Sequence, residues 1–185
     1  MGLCVMSLLV LGPVAIVAFS DGPDAAFTGG FGEPTCLECH DDHAMNDASG
    51  KMNLSGIPEM YTPGREYTIT VTLARPELAR AGFQLAARFD EGSSAGMSAG
   101  VLRASDLRTQ LIEGTGGRVT YIEHTLAGSR VEPAGTAEWT FGWTAPATGG
   151  PVIFHAAGNA SNNDRSALGD FIYMTSAHSV AERAR

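Results

Sequence analysis

"AEWTFGWTAPATGGPVIFHAAGNA", residues 137–160, decides the fold. In its first nine residues Ala137, Trp139, Phe141 and Trp143 fall at every second position, with polar or small residues between. A period of two is what a half-buried strand requires, because successive side chains leave opposite faces. "APATGG" (145–150) is turn chemistry, and "PVIFHAAGNA" (151–160) resumes as a second strand. Trp139 and Trp143 stand four residues apart and so share a face; two indoles there predict the core between two sheets.

The same texture extends outward. "EYTITVTLA" (66–74), "GFQLAARFD" (82–90) and "RVTYIEHT" (118–125) read as strands. "MSAGVLRA" (97–104), "LRTQLIE" (107–113) and "DFIYMTS" (170–176) carry the pattern more weakly. Turn signals separate them at "TPG" (62–64), "EGTGG" (113–117), "EPAG" (132–135) and "SNNDRS" (161–166). In "TPG", Gly64 suits a positive φ after Pro63. Short strands with no helical segment between them predict an all-β, Ig-like antiparallel sandwich. No internal repeat is visible.

The chain has 185 residues, enough for one domain of ordinary size. It is 44% hydrophobic and 17% charged, with 23 glycines, which favours strands and turns over long helices. The net charge is −8, and Lys51 is the one lysine. A nucleic-acid partner is not expected, because the phosphate backbone would be repelled.

Residues 1–20, "MGLCVMSLLVLGPVAIVAFS", carry no charge and are almost wholly apolar. They read as a secretory signal, with small Ala18 and Ser20 at the −3 and −1 positions of a cleavage site before Asp21. An uncleaved anchor is the competing reading, since about 19 apolar residues are barely enough to span a bilayer. Either way the rest is expected to be exported to the periplasm, the cell surface or the medium. It would touch a membrane only if the segment stays as an anchor. Cys4 leaves with the signal. Residues 21–51 then form a Gly-, Pro- and Asp-rich linker running into a cysteine motif, followed by a short polar stretch with room for a turn or two of helix. The sandwich is expected over 52–176, and 177–185 reads as a polar tail.

The motif is "EPTCLECHDDHAMN" (33–46), which holds Cys36 and Cys39 and two of the five histidines. Cys-x-x-Cys-His is the attachment signature of c-type haem. Two thiols about a helical turn apart add across the two porphyrin vinyl groups, and the next residue offers an imidazole to the iron. Cys36 and Cys39 fit the thioether roles and His40 the proximal iron ligand. Two other readings stand beside haem c. Cys36 and Cys39 could close a tight disulfide, as an exported chain permits. Cys36, Cys39, His40 and His43 are the right number for tetrahedral zinc, but adjacent Cys39 and His40 converge poorly on one ion and no second ligand pair follows.

A sixth ligand to the iron would come from His43, Met45, Met52, Met97, His124, His155 or His178. His43 and Met45 follow His40 too closely to reach the far side of a porphyrin. Met52 fits the core, Met97 a flexible turn and His178 a solvated tail. His124 and His155 remain, each inside a strand, His124 sharing a face with Ile122 and His155 with Ile153 and Ala157. For either one, a plain hydrogen-bonded core imidazole is the alternative. Asn159, Asn162, Asn163 and Asp164 bring oxygens together as calcium ligands would, yet turn preference accounts for them more simply. No catalytic constellation stands out, so an electron carrier rather than an enzyme is expected.

Taken together, "IPEMYTPGREYTITVTL" (57–73), "AGFQLAARFD" (81–90), "YIEHTLAG" (121–128), "WTFGWTAPATGGPVIFHAAGNASNND" (139–164) and "GDFIYMTS" (169–176) resemble the bacterial reelin-type (Reeler-like) modules. That group includes the secreted choice-of-anchor domains. The resemblance covers about residues 52–176 and implies an Ig-like β-sandwich. Many bacterial members carry a Cys-x-x-Cys-His segment just before it, matched here by "GEPTCLECH" (32–40). The Glu-His-Thr segment belongs to the family pattern, whereas the position of His155 is commonly Tyr. His124 is therefore the expected distal ligand and His155 the second choice. Two functions follow: an exported monohaem c-type electron carrier with a redox partner protein, or a reelin-type binding or adhesion module whose Cys-x-x-Cys is a structural disulfide.

Overall fold

The computed structural model describes residues 20–132 and 134–182, so the expected signal segment, Ser20 apart, lies outside the described residues. Ten strands follow in chain order: β1 (Lys51–Ser55), β2 (Met60–Tyr61), β3 (Glu66–Ala74), β4 (Arg80–Phe89), β5 (Val101–Ala104), β6 (Thr109–Glu113), β7 (Thr120–His124), β8 (Thr136–Thr144), β9 (Val152–Ser161) and β10 (Phe171–Ala181). They form a four-stranded sheet in the order β1-β3-β8-β5 and a six-stranded sheet in the order β2-β10-β9-β4-β7-β6. Every pairing is antiparallel except β2 with β10. The expected all-β sandwich is the observed architecture.

The alternation in the sequence becomes the core. Ile69, Val71 and Leu73 of β3 and Trp139, Phe141 and Trp143 of β8 are buried from one sheet. Phe83 and Leu85 of β4 and Phe154 of β9 are buried from the other. The sheets meet through rings, Phe83 with its centroid 4.6 Å from Trp139 and Phe154 4.9 Å edge-on to Trp143. Each indole N–H is satisfied, Trp139 by the Gly128 carbonyl and Trp143 by the Ala99 carbonyl, both at 2.9 Å.

Two boundaries differ from expectation. The polar stretch after the cysteine motif holds no helix; it turns and enters β1, with Asn46 N–H donating to the Ile172 carbonyl. Among the described residues, the expected tail continues as strand, because β10 runs on to Ala181 and pairs with β2.

Residues 20–40 form a third layer on the outer face of the six-stranded sheet. The Asp21 carbonyl accepts from Gln110 of β6, and Gln84 of β4 both accepts from the Phe27 N–H and donates to the Asp24 carbonyl. Further along, Glu33 pairs with Arg88 of β4 and accepts from the Tyr121 hydroxyl of β7 at 2.5 Å. The stretch that reads as a loose linker is thus pinned by amides and charges set at outward positions of apolar strands.

One pin responds to pH. Glu123 is buried beside Gln84 and Gln110, and burial pushes its carboxyl up from 4.5 to about 6. A carboxyl raised in the folded state holds its proton longer than in the unfolded chain. Its contribution is therefore complete below 4.5 and is lost as pH rises to 6. Burial lowers His155 from 6.5, which slopes stability the other way. The Glu123 contribution is thus read by difference. Glu123→Ala is expected to gain on the wild type between pH 4.5 and 6 by on the order of 1 kcal/mol, since a pKa displaced by one is worth about 1.4 kcal/mol. Urea midpoints at each pH measure it; a pH-independent difference would rule out a buried, titrating Glu123.

Candidate cofactor site

Cys36–Glu38 is a single 3-10 turn, capped where the Thr35 hydroxyl accepts from Leu37 N–H at 3.2 Å. Cys39 N–H and His40 N–H both donate to the Cys36 carbonyl, at 3.3 and 3.1 Å. Side chains three apart eclipse in such a turn, so the two cysteines stack on one face. Both are free thiols, which does not meet the alternative expectation of a Cys36–Cys39 disulfide. Burial pushes the Cys36 thiol up to about 12, so it is held protonated rather than poised as a redox-active thiolate.

His40 is fixed from behind. Its Nδ1 lies 2.9 Å from a carboxylate oxygen of Asp170 and 3.2 Å from the Ala167 carbonyl. Both are acceptors, so Nδ1 carries the proton and Nε2 the lone pair. Asn159 Nδ2 sits 3.4 Å from each ring nitrogen, equidistant from the two. Asp170 is itself buried. Burial alone would raise its pKa, but hydrogen bonds from His40, Asn159, Ser161 and the Asn162 N–H outweigh it and hold the carboxyl below its usual value. A carboxylate behind a histidine is the usual way to orient a metal-binding imidazole.

These residues line a cavity of about 480 Å³, closed by Phe27 from the third layer, by Ala81 to Phe83 of β4 and by His124. That size lies within the range of about 300–1,000 Å³ typical of cofactor sites. His124 reaches the cavity through a break in the sheet. The β4–β7 ladder has two rungs, Gln84 with Glu123 and Leu85 with Ile122. Where the next rung would fall, His124 Nδ1 instead meets the Phe83 N–H at 3.1 Å and the Phe83 carbonyl at 3.2 Å. Gly82 makes room for the ring, since a Cβ there would lie 2.5 Å from His124 Cε1.

The other candidate ligands lie elsewhere. His155 is on the outer face of β9, and its ring fills the place of a Cβ on Gly30, 5.7 Å from the Phe31 ring. It does not line the cavity. His43 stacks on Phe171 at 3.9 Å, which leaves the four-residue zinc arrangement unassembled. Met52 is in the core, Met45 and Met97 are exposed, and His178 sits 3.4 Å from Asp90. In the polar loop weighed against calcium, Asn162 and Asp164 accept from the Asp164 and Ser166 N–H groups as successive turns do. Among the described residues, no three His, Cys, Asp or Glu side chains form a ready metal site. A porphyrin brings four donors of its own, so its iron asks only one or two of the chain.

Sequence reasoning missed Asp170 and the pinning residues Gln84, Arg88, Tyr121 and Glu123, and it read Asn159 only as part of a polar turn. The available signal was Gly82, Gln84 and Arg88 at alternate positions of β4, which mark an outward face too polar for a core and yet buried.

Fold and site together define a β-sandwich with a Cys-x-x-Cys-His layer closing a cavity on one sheet. No family model and no curated protein matches the chain. Among solved structures it is similar to the Reelin-N domain of F-spondin, 21% identical, covering 80% of this chain and 97% of that one, TM-score 0.49. It is also similar to the human F-spondin reeler domain, 20% identical over 74% and 94%, TM-score 0.47. AvmM, whose structure is described as catalysing macrocyclization in alchivemycin A biosynthesis, is 13% identical over 76% and 92%, TM-score 0.45. The sandwich rests on the strand order and core above, and no function is taken from these likenesses.

Proposed function

We propose that the chain is an exported, monohaem c-type cytochrome-like electron carrier, its haem tethered by Cys36 and Cys39 in the cavity over β4. The single observation that supports it is convergence: the two thiols, His40 and His124 line one cavity although 84 residues separate His40 from His124 in the chain. When bound, the haem supplies a one-electron couple. The chain's part is to hold and orient. The 3-10 turn presents both thiols on one face, Asp170 fixes the proton of His40 on Nδ1, and Phe27 with the β4 backbone walls the site. Its partner would be a redox protein outside the cytoplasm.

A second reading is an extracellular reelin-type binding or adhesion module with a structural Cys-x-x-Cys. The pinning of the third layer favours it, since Gln84, Arg88 and Tyr121 anchor that layer without any cofactor.

The mass of the denatured, acid-extracted protein separates the two. After production in a host with haem ligation, the first reading expects one added porphyrin mass, lost in a Cys36→Ala, Cys39→Ala double variant. An unmodified mass, with the two cysteines oxidised to each other, would refute it and favour the second.

A further inference from the structure

We infer that Arg80 and Arg165 receive the two propionate carboxylates of the haem, an inference that rests on the haem reading of the same cavity. Both residues line it. Arg80 opens β4, where it pairs with Ser161 of β9, and Arg165 lies four residues beyond Ser161 in the following loop. The two are therefore brought to one end of the cavity by the end of a single ladder.

Among the described residues, neither guanidinium has a hydrogen-bond or ion-pair partner, whereas Arg88 and Arg103 are each taken up by a glutamate. The carboxylates in the lining do not supply partners. Asp170 is committed to His40, Asn159 and the Asn162 N–H, and Asp24 makes no ion pair with either arginine. In a chain of net charge −8, two guanidinia without a protein partner at one cavity would attract an anion.

The chemistry of the rest of the wall narrows the anion. Phe27 and Ala81 offer an apolar surface beside the arginines. A ligand that matches is flat and apolar with carboxylates along one edge, which describes a porphyrin. Arg suits that edge better than Lys, because its planar fork meets a carboxylate with two parallel N–H donors.

The test uses full-length protein made with haem ligation, and Arg80→Gln, Arg165→Gln, the double Gln variant and the double Lys variant. Removing positive charge beside the haem disfavours the added electron, so each Gln change should lower the midpoint potential, and the double variant should lower it most. The double Lys variant should keep the potential near wild type. The propionate bending bands in the resonance Raman spectrum should shift in the Gln variants and stay fixed in Arg118→Gln, which removes the same charge away from the cavity. The low-spin visible spectrum should be unchanged throughout, showing intact folding and ligation. If haem is attached but potential and Raman bands match wild type in the double Gln variant, this inference falls and the haem reading stands. If wild-type protein carries no haem, both fall.

Discussion

Trp143→Ala is expected to cost about 3–5 kcal/mol, the usual range for truncating a fully buried indole. Trp143 is wholly buried and touches both sheets: Tyr67 of its own sheet lies at 5.7 Å, and Tyr61 and Phe154 of the other lie edge-on at 5.6 and 4.9 Å. Truncation leaves a cavity between the sheets that these strands cannot close, because each is fixed in register by its ladder. It also strips the Ala99 carbonyl of its donor, a second and smaller penalty. Urea unfolding should show the midpoint falling with an unchanged slope. A loss under about 1 kcal/mol would place the indole outside the intersheet core and undo the two-sheet reading of residues 137–145.

That reading was available from the sequence because burial on one face of a strand leaves a period-two trace. β3 was placed at 66–74 and is observed at Glu66–Ala74; β8 was placed at 137–145 and is observed at Thr136–Thr144. β1 and β2 left little trace, being short edge strands, with only Met52, Leu54 and Tyr61 turned inward. The third layer left none. It has no periodicity, since it is held by hydrogen bonds between its backbone and the amides of Gln84 and Gln110 and by one glutamate on Arg88. Such contacts depend on which strands become neighbours, and a local pattern does not encode that. The same holds for the site. Cys36, Cys39 and His40 announce themselves because their chemistry requires contiguity. Asp170, behind His40, is 130 residues away and looks in the sequence like any turn aspartate. The face assigned to His155 was right in its neighbours, Ile153 and Ala157, but that face looks outward to the third layer rather than inward to the core.

If the haem proposed above is bound, with His124 as its second protein ligand, His124→Ala is expected to change the haem's spectrum while leaving it attached. Two imidazoles hold iron low-spin, at a lower potential than an imidazole with a thioether. The wild type should therefore be six-coordinate in both oxidation states, lack a near-infrared sulfur-to-iron band and bind carbon monoxide poorly. Truncation at 124 opens the distal side. Ferric iron should turn high-spin, carbon monoxide should bind, and added imidazole should restore the low-spin spectrum, which separates a lost ligand from a misfolded chain. The covalent mass should be unchanged, because Cys36 and Cys39 are untouched. Gly82→Ala tests the same assignment from the other side, since its Cβ would lie 2.5 Å from His124 Cε1 and must displace the ring. It should weaken the low-spin spectrum without removing the imidazole. His155→Ala should spare the spectrum, because His155 packs against Gly30 and could reach the cavity only by lifting the Gly30–Phe31 turn off the sheet. A high-spin shift in His155→Ala but not in His124→Ala would reverse the assignment. No shift in either would leave the sixth position to a methionine or to no side chain, and would turn the haem from an electron carrier toward a sensor or a structural group.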